Sequence, residues 1–400
     1  MNLKISGKGK TFNSYKFYLE SIRYPYLVNE KNNLTNINKK ETIFKSPIEK
    51  FYNDFTYNDI DIIYKLYRIY SICVTGTNGK TTTCTLINEF LKLKYQTILC
   101  GNIGLPLFNI IKDNLAKVFI IELSSFQLKN SIINPNVSII LNLNEAHLDY
   151  HQNILDYHKS KLNIIKNQDS FNYLIYNYDD SNIIKYLNNK MKNEYLQKKL
   201  SFSKLNPNCD IYYNINSNEI FYRKKYLFKY KNYYPYIDNL LASLLVAIIH
   251  KIPFNDIKKV LDNYKNIDYR FQKIKENVYN DAKSTNIYAT IINLDKLENI
   301  VLICGGKYRL ENLNILNNYL NNIKLVYTYG ETKELFYNYF ISKNILTFKY
   351  NTLEEIIKNI NFDFNYNYLY SPMMASLDQY NNYEERGKEF NNLIDKYYPN

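Results

Sequence analysis

The stretch Val74–Cys84, reading Val-Thr-Gly-Thr-Asn-Gly-Lys-Thr-Thr-Thr-Cys, constrains this chain more than any other segment. An apolar run, Tyr70–Val74, enters it, and a helical pattern over Thr82–Leu93 leaves it. A strand that feeds a glycine turn and then a helix aims backbone N–H groups and a helix N-terminus at one spot, and that spot attracts phosphate. Lys80 adds a point charge there and Thr81 a hydroxyl suited to Mg²⁺. The spacing Gly76-x-x-Gly79-Lys80-Thr81 is two residues shorter between glycines than the common nucleotide-binding loop.

The remainder of the chain alternates strand-like and helical runs from Tyr70 onward. Strands are expected at Ile98–Cys100, Val118–Glu122, Val137–Asn142 and Tyr173–Asn177, and helices at Leu105–Asn114, Ile154–Lys166 and Ser181–Leu187. That rhythm predicts an α/β fold with mostly parallel sheets. Asp210–Lys229 interrupts it with a short antiparallel hairpin patch, followed by a helical pair, Ile237–Ile249 and Phe254–Tyr264. A second series, with strands at Ile300–Cys304, Leu325–Tyr329, Ile345–Phe348 and Tyr368–Ser371, follows a hinge at Asn266–Arg270. The expected domains are 1–68, 69–267 and 268–400, the first of them short and polar.

Composition narrows the function classes. The net charge is +13, yet the lysines are dispersed without arginine-rich runs, which argues for solvated faces and an anionic substrate and against nucleic acid. The five cysteines show no paired spacing, as expected in a reducing compartment. The N-terminus has no apolar signal core, and the longest apolar stretch, Leu240–Ile249, is half of what a bilayer needs. A cytoplasmic protein without membrane contact is expected.

Several groups stand where strands end, the place where open α/β sheets bind ligands. Glu122 closes the strand Val118–Glu122 and suits Mg²⁺, or is a solvated strand-end charge. Of the clustered His147, His151 and His158, His147 follows a strand and is the expected site residue. The other two are expected on the surface or in packing, because the spacing fits no zinc site. Lys161 is unremarkable among many lysines. Asn280–Asn286 and Ser371–Asp378 read equally well as anion-holding turns and as capped helix starts.

In this order, Gly-Thr-Asn-Gly-Lys-Thr-Thr (76–82), Gly-Asn-Ile-Gly-Leu-Pro (101–106), Glu-Leu-Ser-Ser-Phe-Gln-Leu (122–128) and Asn-Glu-Ala-His-Leu-Asp (144–149) resemble the Mur ligases. So do Tyr-Arg-Phe (269–271), Asn-Asp-Ala-Lys-Ser-Thr-Asn (280–286), Gly-Gly (305–306) and Ser-Pro-Met-Met-Ala-Ser-Leu-Asp-Gln-Tyr (371–380), continuing to Glu-Arg-Gly (385–387). The 122–128 and 371–380 blocks resemble the D-glutamate-adding branch.

The resemblance implies three α/β domains: a short UDP-binding one, a central P-loop-type ATPase and a C-terminal Rossmann-like one. It implies an ATP- and Mg²⁺-dependent amide ligase in peptidoglycan precursor synthesis, a monomer that joins D-glutamate to UDP-N-acetylmuramoyl-L-alanine through an acyl phosphate. Gly76, Thr77, Asn78, Gly79, Lys80, Thr81 and Thr82 would bind ATP, with Asn239, Arg270 and Asp281 at adenine, γ-phosphate and ribose. Thr81, Glu122, His147 and Lys161 would serve Mg²⁺, Lys161 as a carbamate formed with CO2. Lys283, Thr285, Arg309, Ser376, Leu377 and Tyr383 would line the D-glutamate pocket. Lys10, Thr11, Ser46 and Asn102 would touch the UDP-sugar. The chain departs from the family in its first domain, where Gly7–Phe12 lacks a third glycine and Asn29 replaces an acid. It departs again at Arg309, which stands for a lysine. A sister ligase, a folylpolyglutamate synthase-type enzyme and a non-catalytic nucleotide-binding remnant remain alternatives.

Overall fold

The computed structural model describes strands at 3–6, 26–29 and 42–45, and residues 56–67, 69–102, 117–147, 150–190, 196–230, 236–264, 268–309 and 312–398. The expected helix Leu105–Asn114, residues 266–267 of the hinge, and the site candidates Lys10, Thr11 and Ser46 lie outside the described residues. The chain divides into two compact units, 1–145 with 151–264, and 146–150 with 265–400.

In the first unit, β1 (Leu3–Ser6), β2 (Tyr26–Asn29), β3 (Thr42–Lys45) and β4 (Thr56–Tyr57) form a parallel sheet in the order β2-β1-β3-β4. Helix α1 (Asp59–Leu66) follows, and the Asn58 side chain caps it by accepting from the Asp61 N–H at 3.1 Å. Its Ile60, Ile62 and Ile63 pack into one core with Cys73, Phe119 and Ile121. The compositional border at residue 68 thus crosses a continuous apolar core; composition marks polarity, whereas burial marks what holds together.

The large sheet of this unit is built from β5 (Tyr70–Thr75), β6 (Thr97–Gly101), β7 (Val118–Glu122), β8 (Val137–Ile140), β9 (Tyr173–Asn177), β10 (Lys198–Ser203), β11 (Ile211–Asn214), β12 (Glu219–Tyr222) and β13 (Lys225–Lys229). Its order is β13-β12-β11-β10-β9-β8-β5-β7-β6, parallel from β6 through β11 and antiparallel only in the terminal hairpins, where Asp210–Lys229 was expected to break the rhythm. Side chains alternate between two cores: Ile72, Val74 and Ile120 face one, Cys73, Phe119 and Ile121 the other. The first is covered by α2 (Lys80–Leu91) and α6 (Ile237–Ile249), the second by α1 and residues of α4 (Ile154–Leu162).

Several boundaries differ from expectation by a few residues, and contacts of the glycine turn account for two of them. Helix α2 begins at Lys80, not Thr82, because Gly79 at φ 85° turns the chain directly into it. Strand β8 ends at Ile140, not Asn142, because Asn142 leaves the ladder to bind the glycine turn. The expected helix Ile154–Lys166 is α4 followed by a single 3₁₀ turn over Asn163–Ile165.

The second unit has the sheet order β14-β15-β19-β16-β17-β18, comprising β14 (Gln272–Lys275), β15 (Val278–Asn280), β16 (Ile300–Gly305), β17 (Ile323–Tyr329), β18 (Leu346–Lys349) and β19 (Asn367–Met373). Only β14 runs antiparallel. The carboxyl ends of β15, β16 and β19 therefore lie side by side, each continuing into a turn that the sequence singled out. No described helix of either unit is long and apolar enough to cross a membrane.

Candidate active site

The glycine turn after β5 is held from a distance. Asn142, 64 residues further on, accepts from the Asn78 N–H at 2.8 Å and donates to the Asn78 carbonyl at 3.1 Å. Thr77 donates its N–H to the Asn142 carbonyl at 3.0 Å. The Thr77 hydroxyl bonds the Asn144 carbonyl and receives the Tyr157 hydroxyl, both at 3.2 Å. These contacts close the turn around its own backbone. A Cβ on Gly79 would collide with Asn239 Oδ1, so Asn239 of α6 packs directly on the turn. Its Nδ2 is buried with no hydrogen-bond partner among the described residues, which leaves a donor for a ligand held there.

Two amines meet on one carbonyl. Lys80 Nζ donates to the carbonyls of Gly76 at 2.8 Å and Thr77 at 2.9 Å; Lys161 Nζ, arriving from α4, donates to the same Gly76 oxygen at 2.9 Å. Lys161 is 2% exposed, and its nitrogen sits 4.8 Å from the Tyr157 ring centre. Burial first, and then repulsion by Lys80, hold its pKa well below the ordinary lysine value, against the opposing pull of Glu122. Of the two amines at this loop, Lys161 is the one whose ammonium form is disfavoured by its surroundings.

Glu122, at the end of β7, is buried and uses both carboxylate oxygens: Oε2 accepts from the Thr81 hydroxyl at 2.8 Å and Oε1 from Asn102 Nδ2 at 3.0 Å. Three sequence candidates thus form one cluster of hard oxygen and amide groups. That donor set suits Mg²⁺, which takes few protein ligands and keeps water and phosphate oxygens for the rest. Among the described residues no group of three or more His, Cys, Asp and Glu stands ready to hold a metal alone.

The histidines separate as follows. His147 is half-buried in a left-handed turn at φ 57°. His151 is a packing residue: it accepts or donates to the Ser125 hydroxyl at 3.0 Å, and its ring stacks on Phe126 with centres 5.8 Å apart. Burial lowers its pKa, and that of His158, below the usual imidazole value.

In the second unit, Asp281 follows β15 and is buried, accepting from Phe271 N–H at 3.0 Å, Asn293 Nδ2 at 2.7 Å and the Ser371 hydroxyl at 2.8 Å. Burial raises its pKa, and neighbouring Arg270 pulls the other way. Lys283 Nζ lies 5.1 Å from the ring centre of Tyr383, so those two candidates meet. The backbone of Thr285 bonds the Lys283 carbonyl at 3.0 Å, and the Ser376 carbonyl accepts from Gln379 and Tyr380 as the turn after β19. Leu377 is 62% exposed on that turn, and Arg309 is half-buried after Gly306.

Sequence reasoning missed Asn142, Tyr157 and Arg386. An asparagine just past a buried strand was the available sign for the first, and the Glu-Arg-Gly segment (385–387) of the resemblance for Arg386; Tyr157 carried none.

Residues 74–246 match the Mur ligase middle domain. The UDP-N-acetylmuramoylalanine–D-glutamate ligase of Staphylococcus haemolyticus is 33% identical over 347 residues, covering 83% of this chain and 75% of that protein. Among solved structures, a MurF ligase from Thermotoga maritima in complex with ADP superposes with a TM-score of 0.66 at 20% identity, over 98% of this chain and 95% of that one. The UDP-N-acetylmuramate-alanine ligase MurC of the same organism gives 0.62 at 16% identity, over 100% and 99%. These structural likenesses are of fold.

Proposed function

The chain belongs to the Mur ligase family, and from that premise we propose that it joins D-glutamate to UDP-N-acetylmuramoyl-L-alanine at the expense of ATP, in the cytoplasm. The observation that carries the reading is the convergence on one glycine turn of Lys80, buried Lys161 and the Thr81–Glu122 pair. An amide cannot form from a carboxylate and an amine directly, because the oxide is a poor leaving group. The substrate carboxylate attacks the γ-phosphorus of ATP; the bond to the β–γ bridging oxygen breaks, ADP leaves, and an acyl phosphate results. The D-glutamate amine then attacks the acyl carbon, loses a proton, and inorganic phosphate departs.

Both partners in the first step are anions, so their approach needs fixed positive charge. Lys80 and the N-terminus of α2 supply it at the turn, and Asn239 Nδ2 offers a further donor beside Gly79. Mg²⁺, held by Thr81, Glu122, His147 and Lys161, would neutralise phosphate charge. A carbamate on Lys161 would form by attack of its unprotonated amine on CO2: an N–C bond would form, a C–O electron pair would move to oxygen, and a proton would leave to solvent. A carbamate anion replaces an amine that Lys80 repels in its charged form. Lys283, Thr285, Arg309, Ser376, Leu377 and Tyr383 would receive D-glutamate, Arg270 and Asp281 the nucleotide, and Lys10, Thr11, Ser46 and Asn102 the UDP-sugar. The domains proposed for these tasks are 1–68, 69–267 and 268–400.

The test is phosphate release from ATP with UDP-N-acetylmuramoyl-L-alanine, with D-glutamate present or omitted. Release requiring both is the expected result; release indifferent to both would mean a plain ATPase.

A further inference from the structure

Arg386, in α11 (Tyr383–Tyr397), is the largest fully buried side chain among the described residues, at 0% exposure. Its Nη2 donates to the Ala282 carbonyl at 3.0 Å and to the Met374 carbonyl at 3.1 Å. Its Nε and Nη1 are buried without hydrogen-bond partners, and Nη1 lies against Gly306, where a Cβ would come within 3.0 Å of it. Of the nearby acids, Asp378 accepts from the Glu331 N–H at 3.1 Å through Oδ2, its Oδ1 having no hydrogen-bond partner among the described residues, and Glu389 bonds Tyr380. A guanidinium keeps its charge wherever it is placed. Here it touches carbonyl dipoles and tyrosines, with no ion pair among the described residues.

Burying a cation without a counter-ion is costly, and an apolar side chain of similar volume would pack at least as stably. The position of the charge explains its retention. Ala282 immediately precedes Lys283, Met374 lies two residues before Ser376, and Gly306 three before Arg309. The Lys307 N–H also bonds the Ala375 carbonyl at 2.8 Å, joining two of these turns. All three turns proposed to surround the amino acid are thus backed by one unneutralised positive charge. In a poorly polarisable interior such a charge acts over several ångströms.

We infer that Arg386 is a positioning residue that sets the specificity of the amino-acid pocket: it holds the turns after β15 and β19 together and biases the pocket toward an amino acid with two carboxylates over its neutral amide analogue. The inference rests on the D-glutamate reading above. The test uses the full chain with ATP and UDP-N-acetylmuramoyl-L-alanine, comparing D-glutamate with D-glutamine, which has the same shape without the side-chain charge.

Arg386→Met should raise the KM for D-glutamate about 10-fold or more and lower the preference for D-glutamate over D-glutamine by about the same factor, about 1.4 kcal/mol. The KM for ATP and the melting temperature should stay near wild type. Arg386→Lys, which keeps the charge and loses the fork, should retain the preference while raising the KM. A preference unchanged in the Met variant overturns the inference, as does equal loss for ATP and D-glutamate. If the Met variant does not fold, the Lys variant decides: retained preference supports the inference and lost preference overturns it. Wild-type turnover indifferent to D-glutamate would instead overturn the reading on which the inference stands.

Discussion

The two units treat buried charge in opposite ways. Around the glycine turn of the first, cations oppose each other: Lys80 and Lys161 share the Gly76 oxygen, and burial plus repulsion lower the Lys161 pKa well below the ordinary lysine value. In the second, buried charges are held mainly by hydrogen bonds to neutral groups, Asp281 by an amide, a hydroxyl and a backbone N–H with Arg270 nearby, Arg386 by carbonyls. The first arrangement disfavours the charged form of a buried amine. The second fixes each group by directional hydrogen bonds.

The contrast breaks most easily at Lys161. Lys161→Ala should lower turnover by about 10³-fold, the scale of losing one preorganised charge-stabilising group, and short-chain carboxylates such as acetate should restore part of it. Full activity in the variant, with no effect of acetate, would remove the carbamate from the mechanism. Glu122→Gln should cost about 10²-fold in kcat and raise the Mg²⁺ concentration needed for half-activity, read from a magnesium titration. Unchanged magnesium dependence would mean that Glu122 only braces Thr81 and Asn102.

Two smaller effects sharpen the comparison through stability. Gly79→Ala should destabilise by about 2 kcal/mol, since a Cβ at φ 85° is strained and also meets Asn239. Combining it with Asn239→Ala should relieve the collision and leave the strain, so thermal melts of the single and double variants separate the two. Asp59 at the start of α1 is a buried acid whose pKa is pushed up to about 6, by burial first and also by neighbouring Asp61. Because its folded value lies above the unfolded one, its contribution is fullest below about pH 4 and is lost as pH rises through about 6. Asp59→Asn should therefore match wild type near pH 4 and exceed it by about 3 kcal/mol above pH 7. A difference independent of pH would show that the carboxyl is not titrating there.

Much of the fold was legible along the chain. Strands β7 and β9 run as expected over Val118–Glu122 and Tyr173–Asn177, because buried parallel strands are short continuous apolar runs bounded by polar turns. The ends of β8 and α2 were less legible, because a side chain from another segment and a left-handed glycine fix them. Lys161 looked like any other lysine by composition; its character is a property of its surroundings.

A phosphate loop could be read from eleven consecutive letters, because turn, helix start, lysine and threonine are local to Val74–Cys84 and their chemistry travels with their spacing. The alternation of apolar runs likewise implied parallel sheets, since each side chain's face follows from its place in the strand. Only folding brought Asn142 across 64 residues and Lys161 across 85 to the same turn, and left Arg386 without an anion behind three others. Burial and neighbouring charge depend on what packs in space, and it is those that set Lys161 apart from the other lysines.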